Sequence, residues 1–269
     1  MPPTLTFSVE PGSAHPLGTT VYRDGVNFSL FSESATEVTL LLFDRPAAPK
    51  PAEVIRLDPF QHKTFHFWHV FLRGCRPGTY YAFRADGPAN PSAGHRFNPN
   101  KVLIAPYAKG IFKGLWRRAQ AAGPEDNLAT SMRCAVVDPA NYDWEGDQPL
   151  KRPLEDSIIY EMHVGGFTRS PSSGVRHPGT FAGVIEKIPY LQALGVTAVE
   201  LLPVCEFDDS EVSIGPGAEP LRNYWGYSTV GFFSPHSGYC VEPDAMDHIN
   251  EFRDQIGRAS CRERVCLYV

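Results

Sequence analysis

The sequence has no long apolar segment and no excess of basic residues. No stretch of its 269 residues approaches the ~18–20 apolar residues that span a bilayer, and the first 18 residues lack the basic start and apolar core of a signal peptide. The formal net charge is −5, from 25 Lys and Arg against 30 Asp and Glu, which disfavours sequence-independent binding to nucleic acid or membranes. These absences predict a cytoplasmic protein, or a stromal one if a plastid precursor was trimmed.

Motifs for several common chemistries are also missing. The six cysteines form no Cys-x-x-Cys pair and have no histidine at zinc spacing, so we expect reduced structural thiols and no metal. The chain has no His-Glu-x-x-His, no nucleophile-elbow serine and no Gly-rich phosphate loop followed by lysine. The sequence therefore predicts no cofactor.

The chain is instead rich in turn residues and aromatic rings. It holds 25 Pro and 23 Gly, with 12% aromatic residues, a composition typical of sugar-binding proteins, although a β-domain with many turns explains it equally well. Between residues 16 and 85, apolar residues repeat with a period of two in four runs, centred on Phe28, Leu40, Val70 and Tyr81. Strands of this length with turn residues between them predict an antiparallel sandwich over 1–110. Residues 111–156 show little periodicity, and we interpret them as an ordered connector, with a free linker as the alternative.

The pattern changes at Ser157, where an apolar run at 158–164 predicts a buried strand. Thr180 can cap a helix that Pro189 should kink or restart and Gly195 should end. A second apolar run at 196–203 follows, so the order strand, helix, strand predicts a parallel βαβ unit. From the residues alone, Ser228–Phe233 is a further strand.

The α/β part is short for its class. A (β/α)₈ barrel takes ~200 residues or more, so residues 157–254 are expected to be an incomplete one. A helix begins at His248, but its periodicity is lost after Asp254. We therefore interpret residues 255–269 as a non-native tail, with a genuine short helix as the alternative.

Several motifs in tandem resemble the isoamylase-type debranching enzymes of the α-amylase superfamily. Residues 159–168 (IYEMHVGGFT) resemble their first barrel strand, residues 199–204 (VELLPV) the second, and residues 223–228 (NYWGYS) the substrate-side loop that follows. Upstream, residues 25–28 (GVNF) and 94–99 (GHRFNP) resemble the N-terminal glucan-binding module and the segment that joins it to the barrel. This loop assignment places Ser228–Phe233 in the connection after the second strand.

The resemblance implies a fold, an activity and a partner. The fold is an all-β, immunoglobulin-like sandwich followed by the truncated start of an α/β TIM barrel. The activity is retaining hydrolysis of α-1,6 branch linkages, and the partner is an α-glucan such as glycogen, amylopectin or limit dextrin; oligomeric state is left open. A non-catalytic glucan-binding or regulatory subunit, a branching-type glucan transferase and a scaffold protein remain alternatives.

The resemblance also implies which residues carry function. The family's catalytic Asp and Glu fall on later strands, so no catalytic residue is expected in this chain and the chain itself is expected to be inactive. The carboxylates present are Glu161, Glu200, Glu206, Asp208 and Asp209; we expect Glu161 and Glu200 to approach each other as buried, hydrogen-bonded structural groups.

Candidate sugar contacts are aromatic, because a ring can cover the C–H face of a pyranose. The expected substrate-binding residues are Tyr227, which should stack on sugar, with Trp225 and Asn223, although Asn223 and Tyr224 can equally shape the loop. We expect His163 to be a satisfied structural histidine. In the sandwich, Trp68, Tyr80 and Tyr81 are candidates for a sugar platform or for packing at a domain interface.

Overall fold

The computed structural model of the protein describes residues 7–148, 150–211, 221–242, 244–259 and 266–268. The chain divides into two compact units, Met1–Asp138 and Pro139–Val269. The predicted connector is thus shared between the two units, and the domain boundaries given above stay predictions. None of the helices in the described residues has the length and hydrophobicity of a membrane-spanning segment.

The first unit is built around two large antiparallel sheets, with β9 and β10 forming a separate antiparallel pair. Its elements are β1 (Ser8–Glu10), β2 (Gly18–Tyr22), β3 (Gly25–Phe31), β4 (Glu37–Phe43), β5 (Glu53–Arg56), β6 (Lys63–Thr64), β7 (Phe67–Arg73), β8 (Tyr80–Asp86), β9 (Ala89–Asn90), β10 (His95–Arg96), β11 (Ile111–Phe112), α1 (Arg118–Ala122) and β12 (Arg133–Ala135). One sheet has the order β1-β7-β3-β2, with β6 also paired to β7, and the other has the order β11-β12-β8-β4-β5. The strands β3, β4, β7 and β8 confirm the four alternating runs.

The two sheets share an apolar core. Phe28 on β3 and Tyr81 on β8 meet edge to face with ring centroids 5.1 Å apart, and both rings are buried. On β3 even Asn27 and Ser29 are buried, because the segment before β2 covers them: the Asn27 side chain hydrogen-bonds both backbone groups of Ser13. Strand β3 is therefore buried on both of its faces.

The predicted sugar platform of Trp68, Tyr80 and Tyr81 is wrong. All three side chains are at most 4% exposed. Tyr81 packs on Phe28 in the core, whereas Tyr80 meets Phe112 of β11 with centroids 6.4 Å apart. Tyr80 is thus also buried, although successive residues of a strand point to opposite faces of the sheet. The rings of Tyr80 and Tyr81 pack within the first unit itself.

The second unit begins with a parallel strand pair. Its elements are β13 (Ile159–Met162), α2 (Val164–Phe167), α3 (Phe181–Glu186), α4 (Ile188–Ala193), β14 (Ala198–Leu201), β15 (Cys205–Phe207), β16 (Thr229–Pro235), α5 (His248–Gly257) and β17 (Cys266–Tyr268). β13 and β14 pair in parallel, which confirms the βαβ prediction. The hydroxyl of Thr180 accepts the Gly183 N–H and caps α3, Pro189 stands in the first turn of the restarted α4, and Gly195 follows that helix in the left-handed region.

Three features of this unit qualify the sequence predictions. The run at 158–164 is not buried on both faces, because β13 lies at the edge of the sheet β13-β14-β17 and leaves Ile158 and Ile159 59% and 47% exposed. The predicted strand at 228–233 is confirmed as β16, which pairs with β15 inside the connection after β14. Helix α5 continues to Gly257, and Cys266–Tyr268 pairs in parallel with β14; the rest of the predicted tail, residues 260–265 and 269, lies outside the described residues.

Candidate functional site

His163 joins two parts of the second unit that are distant in sequence. It follows β13 and caps α2, where its Nδ1 accepts the Gly166 N–H at 2.9 Å. Since Nδ1 is an acceptor, the neutral imidazole carries its proton on Nε2, and Nε2–H donates to the Tyr224 carbonyl at 2.7 Å. The prediction that this histidine is structural and satisfied is confirmed.

The loop 223–228 is held from both sides. The Asn223 side-chain oxygen accepts the Gly226 N–H at 3.1 Å, and Gly226 has a φ of +78°, a conformation that favours glycine. The Asn223 N–H donates to the Asp209 carbonyl at 2.8 Å, and the Asp209 carboxylate pairs with Arg222 at 2.7 Å. Asn223 therefore shapes the loop, which is one of the two roles predicted for it; the other is substrate binding.

Tyr224 packs face to face on His163, with ring centroids 4.1 Å apart and planes inclined by 12°. The tyrosine hydroxyl lies so close to Gly166 that a Cβ at this position would clash with it. Trp225 meets the same histidine edge-on at 5.9 Å. The absence of a side chain at Gly166 thus leaves room for the aromatic ring of Tyr224, in a loop about sixty residues later.

Tyr239 connects this stack to a second pair of stacked rings. Phe207 and His236 are parallel at 3.8 Å, and His236 Nδ1–H donates to the fully buried Glu206 at 2.8 Å. The other Glu206 oxygen accepts the Ser237 N–H at 2.8 Å. The hydroxyl oxygen of Tyr239 lies 3.0 Å from His163 Nε2. Burial, with a smaller effect of Tyr224, raises the pKa of this hydroxyl, so it stays protonated at neutral pH.

These groups surround an open cleft of about 460 Å³, and Asn223 and Tyr224 lie on its wall. Its other lining residues are His163, Gly165, Arg169, Phe207, Asp209, Arg222, His236, Gly238 and Tyr239. Trp225 and Tyr227 belong to the same loop but lie outside the cleft lining, with 55% and 70% of their surfaces exposed. The described residues contain no cluster of three or more side chains suited to a metal ion.

The candidate carboxylates are not arranged as a catalytic pair. Glu161 and Glu200 are opposite each other in the β13–β14 register, as expected, but both are exposed, so the prediction that they are buried is wrong; β13 is an edge strand and their face of the sheet is open. Glu206 is bound by His236 and Ser237, Asp209 by Arg222, and Asp208 accepts both the N–H and the hydroxyl of Ser210. Asp209, the described carboxylate that lines the cleft, and its neighbours Glu206 and Asp208 are thus each already bound by other groups of the unit.

Sequence reasoning missed several residues of the cleft, among them Arg169, His236 and Tyr239. Arg169 directly follows the Gly-Gly-Phe-Thr segment and donates to the Gly165 carbonyl at 3.2 Å. His236 and Tyr239 lie just after β16, in Pro-His-Ser-Gly-Tyr. For His236 and Tyr239, the only indication in the sequence was a turn directly after a strand that carries two polar residues with rings.

Comparisons with known proteins match the chain to one group of enzymes. Residues 16–108 match the sequence model of carbohydrate-binding module 48, described as the isoamylase N-terminal domain. Isoamylase 1, chloroplastic, from Arabidopsis thaliana is 41% identical over 95% of this chain and 34% of its own length. The glycogen operon protein GlgX homolog of Mycobacterium tuberculosis is 38% identical over 93% of this chain and 35% of its own length.

The chain thus spans about a third of the length of these curated relatives. Among solved structures, the Group B Streptococcus pullulanase SAP aligns with a TM-score of 0.73 at 24% identity, covering 95% of this chain and 33% of that one. The glycogen-degrading pneumococcal virulence factor SpuA aligns with a TM-score of 0.72 at 24% identity, covering 96% of this chain and 27% of that one. At this identity the two structures establish a shared fold.

Proposed function

We propose that this chain, which belongs to the isoamylase type of glycogen and starch debranching enzymes, supplies two parts of such an enzyme: the glucan-binding module and one wall of the substrate cleft. The proposed reaction of the enzyme is hydrolysis of α-1,6 branch linkages in α-glucans. The observation that carries this proposal is the aromatic loop 223–228, held over a cleft by His163 and Asn223. A pyranose offers a C–H face to a ring and hydroxyls to the polar groups around it.

In this proposal β13 and β14 are the first two strands of a (β/α)₈ barrel. The support is topological: the strands are parallel and the helices α3 and α4 connect them. His163 directly follows β13, and the loop 223–228 belongs to the connection that follows β14. Both therefore lie at the carboxyl end of the strands, which is where parallel barrels place their active sites.

Tyr227 is the proposed stacking residue. Its ring is 70% exposed, and it comes directly after Gly226, whose backbone Asn223 fixes. An exposed ring on a fixed backbone loses little entropy when it binds, which favours stacking on a sugar. Trp225 lies two residues earlier and also keeps more than half of its surface open.

A titration of the 269-residue chain with a branched maltooligosaccharide tests this role. Trp225 lies in the loop, so tryptophan fluorescence should change on binding, and Tyr227→Ala should weaken the affinity by about threefold to tenfold, as expected for one lost aromatic contact. Tyr190→Ala is the matched control, because Tyr190 on α4 is also exposed, at 54%. Equal affinities for Tyr227→Ala and the unaltered chain would contradict the assignment.

The cleaving carboxylates are proposed to come from the part of the relatives' length that this chain does not cover. Retaining hydrolysis needs two carboxyl groups ~5–5.5 Å apart, one as nucleophile and one as acid and base. Asp209, the described carboxylate that lines the cleft, is bound by Arg222, and the neighbouring Glu206 and Asp208 are bound by His236 and Ser210 rather than paired with each other. The 269-residue chain should therefore release no reducing ends from glycogen; sustained release that is lost on mutating Glu161 or Glu200 would overturn this part of the proposal.

A further inference from the structure

Glu206 on β15 is a fully buried carboxylate in the second unit. The next residue in the chain, Phe207, belongs to the apolar core of this unit. Removing a carboxylate from water is costly unless partners replace the lost hydration. Exchanging such a buried polar pair for apolar side chains often leaves stability unchanged or raises it, so folding alone does not account for a carboxylate at this position.

Both oxygens of Glu206 bind the turn that follows β16. One oxygen accepts His236 Nδ1–H and the other accepts the Ser237 N–H, each at 2.8 Å. A Cβ at Gly238 would lie 2.6 Å from His236 Nε2, so the turn folds tightly around the imidazole. Since one bond holds a side chain and the other holds the backbone, the carboxylate sets the position of residues 236–239 as a whole.

The turn carries two rings that line the cleft. His236 and Tyr239 are both lining residues, their ring centroids are 4.6 Å apart, and the Tyr239 N–H donates to the His236 carbonyl at 2.9 Å. The hydroxyl oxygen of Tyr239 lies 3.0 Å from Nε2 of His163, the imidazole that holds the loop 223–228. A continuous series of contacts within the second unit thus joins Glu206 to that loop.

We propose that Glu206 is a positioning residue of the cleft, which fixes the wall formed by His236 and Tyr239 and, through His163, the loop 223–228. Glu206 touches no substrate itself, because it is fully buried. Groups that are already fixed lose less entropy when they bind a ligand, so loosening them lowers the affinity. The choice of an α-glucan as the ligand rests on the proposed function, whereas the effect on the loop can be measured without a ligand.

Glu206→Gln keeps the size of the side chain but replaces one of the two acceptor oxygens by an N–H₂ donor. In the 269-residue chain we expect the Gly226 amide to lose about fivefold of its protection against hydrogen exchange, and the affinity for a branched maltooligosaccharide to fall by a similar factor. Glu251→Gln is the matched control, because Glu251 also accepts two backbone N–H groups, those of Val241 and Glu242. Equal losses in the two variants would overturn the proposal.

A double-mutant cycle tests whether Glu206 acts through Tyr239. Tyr239→Phe keeps the ring in the core and removes the hydroxyl that contacts His163, so it should also reduce the protection of the Gly226 amide. If Glu206 acts through this contact, adding Glu206→Gln to Tyr239→Phe changes the protection by less than about twofold, although the urea midpoint falls further. A role confined to stability would make both losses additive, and additive losses of protection would refute the positioning role.

The positioning role and the proposed function fail in different measurements. If the unaltered chain binds the oligosaccharide and Glu206→Gln keeps both the affinity and the loop protection, the positioning role is refuted and the proposed function stands. If Glu206→Gln loosens the loop but the unaltered chain binds no oligosaccharide, the positioning role is supported and the glucan ligand is refuted. Should Glu206→Gln fail to fold, Tyr239→Phe decides: unchanged protection of the Gly226 amide in that variant would refute the proposed connection, and reduced protection would support it.

Discussion

Replacing His163 should loosen the loop 223–228 without unfolding the second unit. Besides its contacts with Tyr239 and Trp225, His163→Ala loses three interactions: the helix cap on the Gly166 N–H, the hydrogen bond to the Tyr224 carbonyl and the stack on the Tyr224 ring. Each of these contributes about 1 kcal/mol, so the free energy of unfolding should fall by about 3 kcal/mol. Two of the three act on the loop.

The loop contacts predict a local effect that can be measured separately. Losing about 2 kcal/mol of local stabilisation corresponds to about a 30-fold loss of protection against amide hydrogen exchange. The Gly226 amide is the appropriate probe, because its hydrogen bond to Asn223 exists only while the loop is closed. Hydrogen-exchange mass spectrometry of a peptide containing residues 223–228, with a urea titration in parallel, gives both quantities.

His163→Asn separates the cap from the loop contact. Asparagine is a good helix cap but is too short to reach the Tyr224 carbonyl, so it should recover about 1 kcal/mol of stability and leave the loop as unprotected as in His163→Ala. If His163→Ala keeps the Gly226 amide within twofold of its original protection, the loop does not depend on His163 and this reasoning is wrong.

Three further predictions concern buried and strained residues. Gln255 is 1% exposed and, among the described residues, neither atom of its amide has a hydrogen-bond partner, so Gln255→Leu should raise the free energy of unfolding by about 1–2 kcal/mol; a urea midpoint that falls would contradict this. Phe65→Gly and Phe65→Ala both remove the ring, but only glycine suits a φ of +57° at this position. Thermal unfolding should therefore show the glycine variant to be more stable than the alanine variant, by about 1 kcal/mol. The reverse order of stabilities would show that the backbone at residue 65 is not strained. Burial lowers the pKa of His62, His69 and His248, so the unfolded chain takes up their protons first and stability should fall as the pH drops below about 6.5. Urea midpoints at pH 7.5 and 5.5 check this, and the fall should be smaller in His248→Gln; an equal fall would exclude His248 as a contributor.

The sequence predicted those elements that depend on local chemistry. The period-two runs through Phe28, Leu40, Val70 and Tyr81 became β3, β4, β7 and β8, because alternation places every second side chain in a core. The helix boundaries were also marked locally: Thr180 caps α3, Pro189 has no N–H to continue a helix, and Gly195 adopts the left-handed conformation after α4. None of these features needs information from distant residues.

The errors concern contacts between distant segments. Alternation on β8 cannot reveal that the ring of Phe112 on β11, about thirty residues later, packs against Tyr80. The apolar run at 158–164 cannot reveal that β13 is an edge strand. The contact of His163 with Tyr224 joins residues 61 positions apart, so the histidine could be predicted as structural, but its partner could not.

The most direct measurement of the central claim is the activity of a chimera. Residues 16–254 of this chain replace the matching segment of Arabidopsis thaliana isoamylase 1, to which the chain is 41% identical, and release of linear chains from glycogen is assayed. The account predicts release at a rate comparable to that of the parent enzyme, with a strong loss in Tyr227→Ala and no loss in Tyr190→Ala. A chimera that folds with the parent's melting temperature yet releases nothing, or one that is indifferent to Tyr227→Ala, would contradict it.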